Sequence, residues 1–392
     1  MNFENFKKWP HFEEAEINAV SAILRSGKIN RWTGGENARF EEALRKAAGV
    51  KHAIAVANGT LAIELALRGV GLNAGDEVIV PCRTFVATAS AVVAQGGVPV
   101  VADVDLNTQN ITAEAVVPLI TPKTRGIIAV HHAGRPCDMD PIMALARSRG
   151  LFVIEDCAQA HGARYKDRPV GSIGDIGAWS FCQDKIITTG GEGGAVTTNA
   201  DASYYTMWSY KDHGRDFDAV YNHPHPAGFR WLIESFGSNF RLTEMQAVLG
   251  TLGFEALPKW IEIRRRNAKI WDEALSGIPC VKIVPELENE FCAYYKYYFF
   301  INANRLKKGL TRDSVIDAVN ALGIPAFSGT CWNISAEKCF EDMGWGKGEK
   351  ELPNAFALKD TAVMLLTHPT ITQEDMFAAA EKIRATLKGA CS

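Results

Sequence analysis

Ser180-Phe181-Cys182-Gln183-Asp184-Lys185-Ile186-Ile187-Thr188-Thr189-Gly190-Gly191-Glu192-Gly193-Gly194 sets a single lysine between an apolar stretch and a glycine-rich turn. Upstream, Leu151-Phe152-Val153-Ile154 has the length and composition of a buried strand. It runs into Glu155-Asp156-Cys157-Ala158-Gln159-Ala160-His161-Gly162. In an open α/β sheet, ligands bind outside the carboxyl ends of the strands. Asp156 falls at such an end. The strand period of two turns Glu155 to the opposite side.

Working outward, the same alternation fills the first two-thirds of the chain. His52–Ala57, Glu77–Pro81, Val98–Asp103, Gly126–His131 and Leu151–Glu155 read as short apolar strands. Helical patterns at Leu61–Leu67, Thr84–Ala94 and Met139–Arg149 separate them, and Ala195–Thr198 closes the set as a returning strand. Strands alternating with helices predict a mostly parallel sheet covered on both faces. The stretch from His213 to Gly237, with His223-Pro224-His225-Pro226 in its middle, reads as a long irregular loop. Helices are expected again at Thr243–Leu252 and Leu257–Leu275. Beyond about residue 280, one strong strand (Tyr294–Ile301) mixed with helices predicts a smaller α+β unit. The expected division is a large domain over 1–255 and a small C-terminal domain over 256–392.

A chain of 392 residues has room for two such cores. With 22% charged residues and a net charge of −3, it carries no basic field for nucleic acid or anionic membrane. Its densest basic run, Arg264-Arg265-Arg266, reads as a solvated helix face. No apolar run is long enough to span a bilayer. Met1-Asn2-Phe3-Glu4-Asn5-Phe6-Lys7-Lys8 lacks the apolar core of a signal peptide. The nine cysteines are scattered, without a C-x-x-C pair, so reduced thiols and a cytoplasmic location are expected.

Several residues carry two readings each. Asn58-Gly59-Thr60, where a strand turns into a helix, is either an ordinary N-capped start or a cradle of backbone amides for an anion. Phe85 is either a core ring or one that stacks on a flat ligand. Asp156 either caps a turn or faces the crevice. Lys185 is either a surface lysine or a reactive one, and Ser180 is placed to donate to a phosphate. His131-His132 and His223-x-His225 lack the partners of a metal site, so no metal is expected. Gly171, Gly174 and Gly177 do not have the dinucleotide-binding spacing. The order of these elements carries more than any one of them. An anion turn, an aromatic, a strand-end acid, a serine, a lysine and a glycine turn form the set that pyridoxal phosphate chemistry uses. The lysine amine condenses with the cofactor aldehyde, and the acid pairs with the pyridine nitrogen.

Glu155–Gly162, Gly174-Asp175-Ile176-Gly177-Ala178-Trp179-Ser180-Phe181 and Lys185 with Gly191-Glu192-Gly193-Gly194 resemble the DegT/DnrJ/EryC1/StrS family. The likeness runs from about residue 12 to the C-terminus. It includes Gly34-Gly35, Asn58-Gly59-Thr60, Thr84-Phe85 and Gly237-Ser238-Asn239-Phe240-Arg241-Leu242-Thr243-Glu244-Met245-Gln246-Ala247. These are sugar-nucleotide aminotransferases of the fold-type I pyridoxal phosphate group. The resemblance implies an α/β fold with a mostly parallel central sheet, helices on both faces and a smaller C-terminal α+β domain. It implies that Lys185 binds the cofactor covalently and shuttles the proton, and that Asp156 pairs with the ring nitrogen. Gln159 would contact the ring's phenolic oxygen. Gly59, Thr60 and Ser180 would hold the phosphate, and Phe85 would stack on the ring. Asn239 would reach the phosphate of a neighbouring subunit, which implies a homodimer with shared active sites.

The implied reaction moves an amino group from a donor, usually glutamate, to a nucleotide-linked ketosugar at C3 or C4. Arg31, Trp32, His213, Arg215, Arg241 and His368 are the candidate substrate contacts, chosen on charge and location. Cys182-Gln183-Asp184 before the lysine departs from the family's usual residues, Gly190-Gly191 is one glycine richer than many members, and Phe327–Asn333 replaces a tyrosine-containing substrate segment. Three alternatives stand beside this reading: a sugar dehydratase, a non-catalytic regulatory or sensory member, and a desulfurase or aldolase-like relative. The dehydratases carry histidine in place of the lysine, so Lys185 argues against the first. An intact Asp156 and Lys185 pair argues against the second. No cysteine sits in an obvious mobile loop to support the third.

Overall fold

The short apolar runs become strands because each is buried on both faces. A computed structural model describes residues 8–224 and 232–392. In chain order the strands are β1 (His52–Val56), β2 (Glu77–Pro81), β3 (Val98–Ala102), β4 (Thr124–Val130) and β5 (Phe152–Asp156). A small hairpin of β6 (Arg164–Tyr165) and β7 (Arg168–Pro169) follows, then β8 (Ile176–Ser180) and β9 (Gly194–Thr198). Seven of these form one sheet in the order β1-β9-β8-β5-β4-β2-β3. Only β9 opposes its neighbours; the β8-β5-β4-β2-β3 pairs are parallel. Every residue of β8 and β9 is buried, so both faces are covered as the sequence pattern predicts.

The Gly59–Gly69 helix follows β1 directly and is capped by Asn58, whose side chain accepts the Leu61 N–H at 2.9 Å. The helix expected from Thr84 begins at Ala87 instead. Thr84 to Val86 stay outside it, with the Thr84 hydroxyl 2.9 Å from that of Thr88. This turn leaves the Phe85 ring 67% exposed, so it is not a core phenylalanine.

The two helices expected at Thr243–Leu252 and Leu257–Leu275 are one helix, Glu244–Leu275. Thr243 and Gln246 cap its start reciprocally. Pro258 lies inside it, where one backbone donor is lost. The buried face nevertheless continues past it through Leu257, Ile261, Arg264, Ala268 and Trp271 at helical spacing, and this packing holds the helix together. The division proposed at residues 255 and 256 therefore passes through a continuous helix. Downstream, β10 (Val281–Lys282), β11 (Glu290–Phe291), β12 (Tyr297–Ile301), β13 (Ala326–Phe327) and β14 (Ala362–Leu365) complete the strands. Four of them form an antiparallel sheet, β10-β12-β14-β13, while β11 joins the β6–β7 hairpin. Trp271, Phe299, Val363, Met376 and Ile383 share the core of this smaller unit.

Two expectations about side chains are corrected. The run Arg264-Arg265-Arg266 is not a solvated face. Arg264 is buried over the Trp9 ring and donates to the Tyr295 carbonyl at 3.2 Å. Arg265 lies 4.0 Å over the Phe291 ring and pairs with Glu286. The helix turns these arginines into the seam between the two units, where aromatic faces and carbonyls replace water. The cysteines are not all reduced: Cys280 and Cys391 are joined by a disulfide. They lie 111 positions apart, and only the docking of the C-terminal helix Gln373–Ala390 beside residue 280 brings them together. In the loop that begins at His213, the short helix Phe217–Tyr221 forms. His223 pairs with Asp218, whereas His225 and Pro226 lie outside the described residues.

Candidate active site

The carboxyl ends of β1, β5 and β8 open into one cavity of about 950 Å³. Close backbone approach builds its floor. A Cβ on Gly59 would fall 2.5 Å from Ser180 Cβ, and one on Gly194 would fall 2.1 Å from the Asn58 carbonyl oxygen. Only glycine at these positions lets the turn after β1 nest against the end of β8 and the start of β9. The first amides of the Gly59–Gly69 helix face this junction. Asn58 satisfies Leu61 and Ala62, while Gly59 N–H and Thr60 N–H have no partner among the described residues.

Asp156 ends β5 and is 5% exposed. Its carboxylate accepts the Ala158 N–H and the Thr88 hydroxyl, each at 3.1 Å. Burial pushes its pKa up, against the pull of those hydrogen bonds and of the charge on Lys185. Glu155, one residue earlier, faces away from the cavity as the strand period requires. It takes the His131 ring N–H at 3.0 Å and the backbone N–H groups of Gly171, Ile173 and Gly174. Burial opposes its charge, but these donors prevail and hold its carboxyl below the ordinary value. The ligand atoms of His131, Glu155 and Cys157 lie within 4.8 Å of one another. Both His131 nitrogens and both Glu155 oxygens are engaged in hydrogen bonds, so this group locks the back of β5.

Lys185 reaches the same cavity from the turn after β8. Its carbonyl accepts the Trp9 indole N–H at 2.7 Å, which pins the backbone and leaves the side chain free to point inward. Its Nζ sits 3.9 Å from Asp184 Oδ1 and 5.2 Å over the Tyr295 ring. Gly190 and Gly191 have φ of 84° and 127°, which the return to β9 requires. Gln159 lines the cavity with its carbonyl oxygen fixed by the Ala133 N–H at 2.8 Å. That bond leaves its NH₂ group to face the cavity.

Thus Gly59, Thr60, Phe85, Asp156, Gln159, Ser180 and Lys185 all line one space. The other candidates do not line it. Asn239 is exposed and pairs through its backbone with Asp212. Arg241 and Arg215 converge on the same Asp212, at 2.6 and 3.9 Å, and Arg215 lies 4.5 Å over the Trp32 ring. Arg31 forms a double hydrogen bond to Glu41, and His213 donates its N–H to Ser238. These residues cluster beside β1, outside the cavity of their own chain. His368 stacks on Trp9 at 6.4 Å and bonds the Thr370 hydroxyl. Burial, with Arg264 and Lys296 nearby, lowers its pKa to about 3.

Sequence reading missed Thr88, Asp184, Tyr295, Lys296 and Tyr298 as cavity residues. Thr88 carried a faint signal, four residues after Thr84 on the helix expected there. Lys296 and Tyr298 fall in the stretch read as one strong strand, Tyr294–Ile301, although β12 begins only at Tyr297; their alternation with Tyr297 and Phe299 was the available clue. Phe327, Gly329 and Thr330, in the segment that departs from the family, also line the cavity.

The residues present fit pyridoxal phosphate. A buried carboxylate lacks a full counter-charge at one end, free helix amides wait beside a serine at the other, and an amine lies between. A strand-end acid and a turn lysine facing one cavity define a pyridoxal phosphate-dependent class of enzyme. The model of the DegT/DnrJ/EryC1/StrS aminotransferase family matches residues 10–384, and the chain belongs to this family. The chain is 40% identical over 287 residues, 73% of each protein, to a GDP-perosamine synthase of Caulobacter vibrioides. It is 36% identical over 358 residues to a UDP-N-acetyl-3-dehydro-alpha-D-glucosamine 3-aminotransferase of Acidithiobacillus ferrooxidans, covering 91% of this chain and 90% of that one. The crystal structure of an aminotransferase from Psychrobacter cryohalolentis superposes with a TM-score of 0.96 at 47% identity, covering 98% of this chain and 99% of that one. No helix of the described residues is long and apolar enough to cross a membrane.

Proposed function

We propose that this enzyme transfers an amino group from glutamate to the keto group, at C3 or C4, of a sugar linked to a nucleoside diphosphate. The product would be an aminosugar for polysaccharide or secondary-metabolite synthesis. The observation that carries the reading is the convergence of Asp156, Lys185 and the Gly59-Thr60 amides on one cavity. The sugar-nucleotide names of the two relatives support the acceptor class.

When bound, the cofactor supplies an aldehyde carbon and a ring that accepts electrons. Lys185 Nζ would hold the cofactor at rest and, as a free amine, would move a proton at the donor carbon. Asp156 holds the proton on the ring nitrogen by charge pairing. Gly59 and Thr60 N–H, with Ser180 Oγ, receive the phosphate at the positive end of their helix. The Gln159 NH₂ would orient the ring, and the exposed Phe85 ring would lie against it. Asn239, Arg31, Trp32, Arg215 and Arg241 lie outside their own cavity, which fits service to the cavity of a second copy in a homodimer. The cytoplasm is the proposed compartment, given the seven cysteines that remain unpaired.

The test begins with colour. Purified protein should be yellow, and glutamate should bleach that band. A panel of nucleotide ketosugars should then restore it, with mass spectrometry of the product giving the position aminated. A yellow protein unresponsive to every amino acid tested would overturn the reading.

A further inference from the structure

Two ammonium groups share one carboxylate at the Lys185 end of the cavity. Lys185 Nζ lies 3.9 Å from Asp184 Oδ1, and Lys296 Nζ lies 4.0 Å from Asp184 Oδ2. Both separations exceed a hydrogen bond. Asp184 spends its closer contact on the Tyr295 hydroxyl. Behind Tyr295 stands Arg264, buried, with Nε and Nη2 unpartnered among the described residues. Two ammonium groups therefore share one carboxylate here, with the Arg264 charge held behind Tyr295. The Lys296 side chain makes no hydrogen bond among the described residues, lines the cavity and is 18% exposed.

Resting on the transamination reading, we propose that Lys296 is the docking point for the carboxylate of the amino donor. The argument is one of reach. A donor amino acid must place its amine where Lys185 Nζ stands, and its carboxylate is only two bonds from that nitrogen. Lys296 shares both Asp184 and the Tyr295 ring with Lys185, the two ammonium groups lying 4.6 and 5.2 Å from that ring, so they line the same corner of the cavity that a glutamate donor must enter. The phosphates of a sugar nucleotide are separated from the reacting carbon by the sugar ring and do not suit this place. An incoming carboxylate would take over the charge that Asp184 only partly supplies. Burial already holds Lys296 down, to about 8, which an anion at contact would reverse.

The test uses the whole enzyme loaded with cofactor and compares Lys296→Met with Lys296→Arg. Stopped-flow bleaching of the yellow band by glutamate gives a half-saturating concentration and a limiting rate. Glutarate, a dicarboxylate without the amine, serves as a competing probe. The expected result for Lys296→Met is a rise in half-saturating glutamate of roughly tenfold to a hundredfold, with loss of glutarate competition. Lys296→Arg should recover most of both. Borohydride labelling of Lys185 should be unaltered in each variant. Unchanged glutamate saturation in Lys296→Met, or a fall in limiting rate that arginine does not rescue, overturns the proposal. So does loss of labelling, which would make Lys296 a structural prop. Absence of bleaching in the wild type overturns the transamination reading itself, and this assignment with it.

Discussion

Gly59 and Ser180 approach so closely that a methyl group on the glycine would fall 2.5 Å from the serine Cβ. The anion cradle at the start of one helix and the hydroxyl at the end of β8 are thus a single built surface. Gly59→Ala should keep the helix, whose first position the glycine occupies, but should lower stability by about 1–3 kcal/mol through overpacking against Ser180. It should also weaken cofactor affinity by about tenfold or more, because the Gly59 and Thr60 amides are pushed away from Ser180. Titration of the visible band checks the affinity, and circular dichroism checks the fold.

Asp156 is buried with two neutral donors and no full counter-charge of its own. Asp156→Asn retains a hydrogen-bonding group there but cannot hold a proton on a ring nitrogen. The limiting rate of bleaching by glutamate should fall by about 10² to 10⁴. Cofactor should still bind, which absorbance after gel filtration measures.

Borohydride reduction followed by peptide mapping should place the label on Lys185. Lys185→Ala should carry none and should lose turnover by about 10³-fold or more. A label on any other lysine would contradict the site.

Glu155 gives the fold an acid limit. Its folded pKa is held below the ordinary carboxyl value, so its stabilisation is present above the unfolded value, 4.5. That stabilisation is lost as pH falls through the lowered folded pKa. Glu155→Gln should lose about 2–4 kcal/mol of stability at neutral pH. Its urea midpoint should vary less than the wild type's below pH 4.5, measured by urea unfolding at several pH values.

The proposed sharing of active sites between two copies predicts complementation. Subunits carrying Lys185→Ala, inactive alone, should regain activity when dissociated and reassembled with subunits carrying Asn239→Ala. Each mixed dimer would pair one intact lysine with one intact Asn239. Activity of the mixture no greater than the sum of the separate variants would argue against sharing.

Strand and helix signals were legible where they were local. Glu77–Pro81 and Met139–Arg149 have the bounds that the sequence pattern predicts, because apolar runs and helical spacing act within a few residues. The opposite directions of Glu155 and Asp156 follow from the strand period alone. Helix ends and breaks were less legible. Pro258 signals a break locally, yet a long buried face overrides it.

By itself the sequence determined the alternating sheet and the order of its motifs, and it marked Lys185 and Asp156 as the candidate reactive residues. These rest on short-range periodicity and on residue types. Tertiary structure alone decided that Lys296 and Tyr298 face the cavity, that Arg264 is buried, and that Cys280 meets Cys391. It also set Arg31, Arg215 and Arg241 outside their own site. Those outcomes depend on contacts between segments far apart in the chain, whose geometry is fixed only when sheet and helices pack.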